Sequence, residues 1–373
     1  MKGFLFPIFK TKVEGRSEKF MLEDPVERRK YFDLKAGVEI EKLRDFLQKG
    51  NTFVGFLLGP KNSGKGTYTK LFMEAVGEER VAHISVGDII RAVHKDLETT
   101  EGKKNLTDYL KKQYRGFLAV EEALDVILGR DQSKHLPTEV ILALVQREID
   151  RIGRKAIFID GFPRNLDQIS YSLYFHTLIG YRDDPDFFVF IDVPETVIDE
   201  RMKYRVTCPY CQSPRNLKLL RTKEVDYNAD KKEFYLVCDN PNCSGFGKAR
   251  MVSKEGDSLG IEVIRERLEM EAQVARKLID LQGVPKIFLR NSVPVDQTKD
   301  YVDDYEITSS YGYEVDEKTG KVKVIAEPWV VRDDDGVLSY SLLPAAVAVA
   351  LIKQTAQVLG LSNVDIPGVD YPA

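Results

Sequence analysis

The stretch GPKNSGKGT at residues 59–67 constrains the fold more than any other part of this chain. It follows the apolar run FVGFLL at 53–58 and leads into TYTKLFMEAV, which has helical spacing. A glycine-rich turn between a buried strand and a helix directs backbone N–H groups, and the positive end of the helix dipole, toward one point that suits a polyphosphate. The stretch therefore predicts a strand–loop–helix unit in which Lys65 supplies a cation for the outer phosphates.

The loop departs from the common phosphate-loop pattern at one position. That pattern places a hydroxyl directly after the lysine to reach Mg²⁺, whereas this chain has Gly66 there and Thr67 one place later. Either the match is accidental or the loop belongs to a variant class that holds its metal differently. Asn62 in the middle of the loop favours a functional loop, because asparagine tolerates a positive φ.

Three further apolar runs predict the rest of a sheet. KAIFIDG ends near Asp160, DFFVFIDVP contains Asp192, and KIFLRN lies near residue 288. Buried parallel strands have this composition, and the segments between them are long enough for helical crossovers. We expect an α/β fold, a doubly wound parallel sheet with helices on both faces. At 373 residues the chain has room for extensions and inserts.

The segment DGFPRNLDQ at 160–168 adds polar groups beside the predicted phosphate loop. A carboxylate at the end of a neighbouring strand, here Asp160, lies where Mg²⁺ or its water ligands would bind. Arg164 is a candidate for binding a second phosphate in bidentate fashion, and Gln168 could present its carboxamide to the edge of a base.

All four cysteines of the chain form two close pairs. Cys208 and Cys211 are spaced C-x2-C, and Cys238 and Cys243 are spaced C-x4-C. This spacing fits a structural tetrahedral Zn²⁺ with no open position. Fe²⁺ would also fit four thiolates, and free thiols remain the alternative to any metal.

Composition excludes some classes of partner and of location. The formal net charge of −4 gives no argument for a nucleic-acid or anionic-membrane partner. The apolar N-terminal run MKGFLFPIFK has no small-residue cleavage site after it, and LLPAAVAVALI at 342–352 is far shorter than the roughly 20 residues of a membrane span. We expect a cytoplasmic protein with no membrane association.

Five segments together resemble one enzyme family. GPKNSGKGT, HISVGDIIR at 83–91, DGFPRNLDQ, DERMKYR at 199–205 and VIRERL at 263–268 occur in the order and approximate spacing of adenylate kinases and related nucleoside monophosphate kinases. The resemblance covers about residues 51–300. It implies reversible transfer of the γ-phosphoryl group of ATP to a nucleoside monophosphate, typically AMP, which gives two diphosphates.

The resemblance also implies roles for individual residues. The ATP-binding residues would be Gly59, Asn62, Ser63, Gly64, Lys65, Gly66, Thr67 and Arg201. The residues that bind the monophosphate would be Ser85, Arg91, Gly161, Arg164 and Gln168. The catalytic set would be Lys65, Asp160, Arg164, Arg201, Arg205 and Arg267. Asp160 and Asp88 would hold Mg²⁺ through water. Phosphoryl transfer needs positioning and charge compensation rather than a nucleophile, which agrees with a site rich in arginine.

By the same resemblance, residues 51–297 form a kinase core with two inserts. A helical arm at about 85–150 would bind the monophosphate, and a small β lid at about 206–257 would hold the zinc and close over ATP. This chain departs from the family at Val86, where a threonine is usual, and in a longer arm that reads as two helices and a charged turn. The end of the lid lacks an Arg-x-Asp pattern, which leaves Lys254 and Asp257 as approximate replacements.

Extensions at 1–50 and 298–373 lie outside the ordinary core. The first includes the amphipathic VEIEKLRDFLQKG, and the second contains turn signals EKTGK and DDDG before a helix that begins near Pro344. The apolar face of that helix could pack on the core or on a second subunit, although we expect a monomer. Two alternatives stay open: a kinase for another nucleotide (UMP, CMP or GMP), and a non-catalytic regulatory module that binds nucleotides.

Overall fold

A computed structural model describes residues 4, 6–128, 137–178, 184–253, 256–316 and 318–362. Lys254, part of the predicted arm at 129–136, Glu317 of the first turn signal and the last eleven residues lie outside this description. Among the described residues, the first 290 supply the strands of a central sheet with helices between them, a run of four consecutive helices and a small β module. A β-rich segment that ends in a helix follows.

A parallel sheet forms the centre of the molecule, as predicted, and it has five strands where the apolar runs predicted four. The strands, in chain order, are β1 (Val54–Leu58), β2 (Val81–Ser85), β3 (Ala156–Asp160), β4 (Asp186–Asp192) and β10 (Lys286–Arg290). Their order in the sheet is β10–β4–β1–β3–β2. Every residue of β1 is buried, because helices cover both faces of the sheet. Register places Asp160 beside Leu57 on one side and Ser85 on the other, so the carboxyl ends of three strands meet at one edge.

Helices surround this sheet in the order of a doubly wound fold. They are α1 (Pro25–Gln48), α2 (Lys65–Val76), α3 (Val86–Leu97), α4 (Thr100–Gln113), α5 (Val120–Ile127), α6 (Thr138–Ile152), α7 (Gln168–Leu178), α8 (Glu195–Lys203) and α9 (Arg265–Ile279). The predicted pair of helices in the arm is confirmed by α4 and α5. They pack Leu106, Leu110 and Leu124 into a small core separate from the sheet.

The four cysteines lie in a small β module between α8 and α9. Its strands are β5 (Arg205–Thr207), β6 (Pro214–Asn216), β7 (Val225–Asn228), β8 (Glu233–Leu236) and β9 (Val252–Ser253). A 3-10 helix at Asp257–Ile264 returns the chain to α9. We refer to residues 205–257 as the cysteine module.

The C-terminal segment consists of short strands and two helices. These elements are β11 (Ser292–Pro294), α10 (Thr298–Tyr301), β12 (Ser309–Val315), β13 (Val322–Pro328), β14 (Val330–Arg332), β15 (Leu338–Ser341) and α11 (Pro344–Val358). A 3-10 turn at Asp304–Glu306 precedes β12. The antiparallel pairs β12–β13 and β14–β15 confirm both predicted hairpins, and α11 begins at Pro344 as predicted.

Helix α11 packs on its own chain, which decides between the two predicted outcomes. Residues from Ala345 to Ile352 are all buried, and the helix contacts α1, α2 and β10. Gln354 accepts from the Phe288 N–H at 3.0 Å and donates to the Phe288 carbonyl at 2.8 Å. Since β10 is an edge strand of the sheet, this side chain satisfies backbone groups that would otherwise remain unpaired. Of the helices described, none is long and apolar enough to cross a bilayer.

Candidate active site

The phosphate loop has the backbone conformation that its sequence predicts. Asn62 has φ 66° and Gly64 has φ 102°, and α2 begins directly afterwards at Lys65. A Cβ on Gly64 would lie 2.7 Å from Cζ of Tyr68, so both the dihedral angle and the available space require glycine there. Among the described residues, the buried Ser63 Oγ and Asn62 Nδ2 have no hydrogen-bond partner. Unpaired donors inside such a loop indicate that a ligand completes it.

Lys65 lies across the loop. Its Nζ donates to the carbonyls of Gly59 at 2.7 Å and Pro60 at 3.0 Å, and it is 3.6 Å from Oδ1 of Asp160. The ammonium group is thus positioned where the ends of β1 and β3 meet. An anion bound at the helix N-terminus would compete with these two carbonyls for it.

Two predicted arginines, Arg164 and Arg267, lie beside this lysine. With Lys65, Asp160 and Glu271 they line a narrow cavity of about 20 Å³. Arg164 is exposed overall, yet burial of its guanidinium end lowers the pKa of Arg164, and the nearby Arg267 lowers it further. Arg267 donates to Oε1 of Glu271 at 2.7 Å, which compensates part of this positive charge. The cluster presents three cations to a single point and is therefore suited to a highly charged phosphoryl group.

Arg201 and Arg205 approach the loop from its other side, at the base of the cysteine module. Arg201 Nη1 donates to the carbonyl of Asn62 at 3.0 Å. Arg205 pairs in bidentate fashion with Asp257, at 2.8 and 2.6 Å. This ion pair joins the first and last residues of the cysteine module, and the sequence did not predict it.

The residues predicted to bind the monophosphate follow β2 and β3. Ser85 is the N-cap of α3, and its Oγ accepts from the Asp88 N–H at 3.3 Å. Arg91 is exposed and forms an ion pair with Asp88. Gln168 is 2% exposed, and its Oε1 accepts from the Arg164 N–H at 2.8 Å, so only its amide nitrogen is left for a base.

His83 is a site residue that the sequence reasoning missed. Its ring lies beneath the loop, with Cε1 3.7 Å from where a Cβ on Gly66 would be, and its Nε2 has no partner within the described part of the chain. Burial lowers the pKa of His83, while the nearby Asp160 and Asp88 raise it. The only signal in the sequence was its position two residues before Ser85, at the end of an apolar strand.

The cysteine thiols lie close enough to share one metal ion. All four Sγ atoms are within 4.8 Å of one another, with Cys208 and Cys243 3.7 Å apart and Cys211 and Cys238 3.8 Å apart. Tetrahedral Zn–S bonds of about 2.3 Å require sulfur separations of about 3.8 Å. The wider C-x4-C knuckle therefore still fits a zinc ion.

Magnesium would be held differently from the zinc. The half-buried Asp160 carboxylate projects from the end of β3 beside the loop, and the exposed Asp88 lies at the start of α3. Gly66 has no hydroxyl to offer, so the oxygen donors of this region fit an ion bound mainly through phosphates and water.

Comparisons with known proteins identify one family model and several kinases with similar sequences. A family model described as an AAA domain matches residues 58–208, which hold the phosphate loop, Asp160, Arg201 and Arg205. An adenylate kinase of Thermotoga neapolitana is 27% identical over 234 residues, covering 62% of this chain and 86% of that protein. An adenylate kinase of Clostridium novyi is 29% identical over 225 residues, covering 60% and 83%. A probable UMP-CMP kinase 2 of Arabidopsis thaliana is 27% identical over 195 residues, covering 50% and 62%.

Proposed function

We propose that this chain is a nucleoside monophosphate kinase that transfers the γ-phosphoryl group of ATP reversibly to AMP, giving two molecules of ADP, and its similarity to adenylate kinases supports this proposal. The observation that carries this proposal is the convergence of Lys65, Arg164 and Arg267 on one point beside the phosphate loop. Three cations at that point would stabilise the charge on the phosphoryl group in the transition state of its transfer.

In this proposal the loop from Gly59 to Thr67 binds the phosphates of ATP. Backbone N–H groups at the start of α2, with Ser63 and Asn62, would donate to phosphate oxygens, and Lys65 would exchange its carbonyl partners for the outer phosphates. Arg201 and Arg205, at the base of the cysteine module, would add positive charge on the donor side.

The acceptor would bind on the other side of the transferring group. Arg164 and Arg91 would hold its phosphate, with Ser85 and Gly161 beside it at the carboxyl ends of β2 and β3 and with Gln168 donating to the base. Arg91 is paired with Asp88 in the described structure, so this proposal requires it to turn toward the acceptor phosphate when the nucleotide binds.

Both metals have residues that fit them. Mg²⁺ bound with ATP would offset phosphate charge, with Asp160 and Asp88 orienting its water ligands. Zinc held by the four cysteines would stiffen the cysteine module, which we propose is the lid that closes over ATP and excludes water. Four thiols reserved for a metal suit a reducing compartment, in keeping with a cytoplasmic enzyme.

A second acceptor class is favoured by one residue. Val86 is 3% exposed and lies 3.5 Å from where a Cβ on Gly161 would be, so an apolar side chain replaces the hydroxyl usual in the family close to the acceptor base. A pyrimidine monophosphate is the alternative acceptor, and one of the relatives is named as a UMP-CMP kinase.

A coupled assay of ATP consumption, run separately with AMP, UMP, CMP and GMP, tests both proposals. We expect AMP to give the largest kcat/KM. If UMP or CMP exceeds AMP, the acceptor assignment is wrong. If no monophosphate stimulates ATP consumption above background, the chain is a nucleotide-binding module and the enzymatic proposal fails.

A further inference from the structure

A second cavity adjoins the phosphate loop, on the side away from the acceptor. It has a volume of about 350 Å³ and lies between the start of α2, the cysteine module and the C-terminal segment. Its walls include Thr67, Tyr68, Arg201, Leu219, Trp329 and Leu343. The volume is at the lower end of the roughly 300–1,000 Å³ typical of small-molecule sites.

The C-terminal segment forms one wall of this cavity and is hydrogen-bonded to α2, the helix that follows the phosphate loop. Asn291 is fully buried, and its Nδ2 donates to the Tyr68 hydroxyl at 3.3 Å and to the Leu342 carbonyl at 3.0 Å. Its Oδ1 accepts from Ser341 Oγ at 2.9 Å. These hydrogen bonds connect α2 to Leu342, the residue before Leu343. They fix the position of this wall relative to the phosphate loop.

The chemistry of the walls suits a planar heterocycle. Arg201 brings a guanidinium group to one side, and Leu219, Leu343 and the 5%-exposed Trp329 bring apolar surface to the others. A guanidinium plane stacks on aromatic rings, and indole and aliphatic groups favour burial of a flat base. Asn62, Gly64 and Thr67 of the phosphate loop line the same cavity, so the phosphates of such a ligand would lie against the loop.

The other large cavity beside the loop suits a nucleotide poorly. It measures about 410 Å³ and touches the loop at Gly59 and Pro60, whose carbonyls face Lys65. Four carboxylates line it: Glu195, Glu269, Glu271 and Asp334. They would repel an anionic ligand, even with Arg265 and Arg276 nearby.

We infer that the C-terminal extension completes the binding pocket for the base of the phosphoryl donor, with Trp329 and Leu343 as its specificity-determining wall. This inference rests on the proposed function, which supplies the identity of the donor. It assigns a substrate-binding role to residues beyond the part of the chain that resembles the kinase core.

The single tryptophan of the chain makes the inference directly testable in the unmodified protein. Mg-ATP, Mg-tripolyphosphate and AMP are titrated separately while Trp329 emission is recorded, and calorimetry in the same buffer establishes that each ligand binds. We expect ATP to change the emission intensity by at least about a fifth, and tripolyphosphate and AMP to leave it nearly constant, because only the donor base contacts the indole.

Each other outcome counts against a specific claim. If ATP binds with the emission unchanged, or if tripolyphosphate reproduces the full change, the base does not contact Trp329 and the inference fails while the proposed function stands. If calorimetry detects no ATP binding, both fail. If ATP binds and changes the emission but no monophosphate is phosphorylated, the pocket stands and the proposed function fails.

Kinetics of a wall variant provide an independent test. Leu343→Ala removes apolar contact with the base, and we expect it to raise the KM for ATP about fivefold or more with kcat and the KM for AMP within twofold. Leu338→Ala is the matched control, since that side chain is 50% exposed and lies outside the cavity. An unchanged KM for ATP in a folded Leu343→Ala protein, verified by circular dichroism, would overturn the assignment.

Discussion

Arg164 lies in an unfavourable electrostatic environment within the site. Its guanidinium group lies near that of Arg267, with partial compensation from Glu271, and its pKa is lowered by burial and by this neighbour. Two cations placed together cost free energy in the unliganded protein. A bound phosphoryl group would relieve this repulsion, so the arrangement favours a ligand that carries several negative charges.

Replacing Arg164 with lysine tests this view of the site. Lysine keeps one charge but loses the planar, bidentate donor set, and we expect Arg164→Lys to lower kcat by about 10²-fold. Steady-state kinetics of the forward reaction provide the measurement. The matched control is Arg151→Lys on the exposed face of α6, where the arginine pairs only with Glu148 among the described residues, and its kcat should stay within twofold. Equal losses in both variants would contradict the assignment.

Val86 offers a prediction about acceptor choice. Val86→Thr keeps the volume of this buried side chain and restores a hydroxyl beside Gly161. We expect the ratio of kcat/KM for AMP to that for UMP to rise about tenfold, because one added hydrogen bond to a base contributes about 1–1.5 kcal/mol. Assays with both monophosphates measure the ratio, and Val93→Thr, at a buried position farther along α3, controls for the cost of burying a hydroxyl. A ratio that is unchanged would exclude Val86 from acceptor selection.

Among the structural elements, the cysteine module has the geometry of a metal-stabilised unit. Its apolar cluster contains few residues, including Val206, Leu236 and Met251, and three of its cysteines are buried with them. A domain this small needs a metal or disulfides to remain folded. We therefore expect a zinc ion held by the four cysteines to determine whether the module keeps its shape.

Substitution of one thiolate tests that dependence. We expect the native protein to contain about one zinc per chain and Cys238→Ser to lose most of it, since three thiolates leave the site incomplete. Elemental analysis measures the metal and also distinguishes zinc from iron. Asn242→Ser, at an exposed position of the same knuckle, should retain the metal. Full metal content in Cys238→Ser would show that the cysteines are not its ligands.

A buried carboxylate connects the two extensions. Glu306 is fully buried and accepts from Tyr31 Oη at 2.5 Å, Thr11 Oγ1 at 2.7 Å and the Asp303 N–H at 2.6 Å. Lys35 lies 3.8 Å away and forms a closer ion pair, at 2.6 Å, with Asp303, so its positive charge is shared between the two carboxylates. Three donors and one cation around a single carboxylate hold the N-terminal arm, α1 and the C-terminal segment together.

Loss of that charge should weaken the whole fold. We expect Glu306→Gln to lower the free energy of unfolding by about 1–3 kcal/mol, because the amide accepts with one oxygen only and its NH₂ group faces a buried donor in place of the second acceptor. Urea unfolding followed by circular dichroism measures the change. Glu314→Gln on the exposed side of β12 should alter it by less than about 0.5 kcal/mol. Similar effects of the two substitutions would show that Glu306 does not secure the extensions.

Across the whole molecule, short sequence patterns predicted the strands, turns and helix starts whose conformation depends on neighbouring residues. The phosphate loop, four of the five sheet strands, both C-terminal hairpins and the start of α11 near Pro344 follow from glycine, proline and apolar spacing, whereas β2 was not predicted. Contacts between distant segments could not be predicted in this way. Asp257 pairs with Arg205 across 52 residues, and Asn291 joins α2 to residues 341–342, because tertiary packing rather than sequence spacing brings these side chains together.

The same limit applies to the extensions. Helix α11 is apolar around most of its surface, and such a pattern predicts burial without identifying the partner. The structure shows that α1, α2 and β10 cover it, which leaves this helix no free apolar face for a second subunit. The monomer remains a prediction, now supported by this packing. The division of the chain at residues 50 and 297 also remains a prediction, since both extensions share one apolar core with the sheet.

In the proposed reaction, the γ-phosphoryl group passes from ATP to a monophosphate rather than to water. The most direct measurement follows label from [γ-³²P]ATP during incubation with Mg²⁺ and AMP and separates the products by thin-layer chromatography. We expect the label to appear in ADP, with two molecules of ADP formed for each ATP consumed. Label that appears only as inorganic phosphate, at a rate independent of AMP, would contradict it.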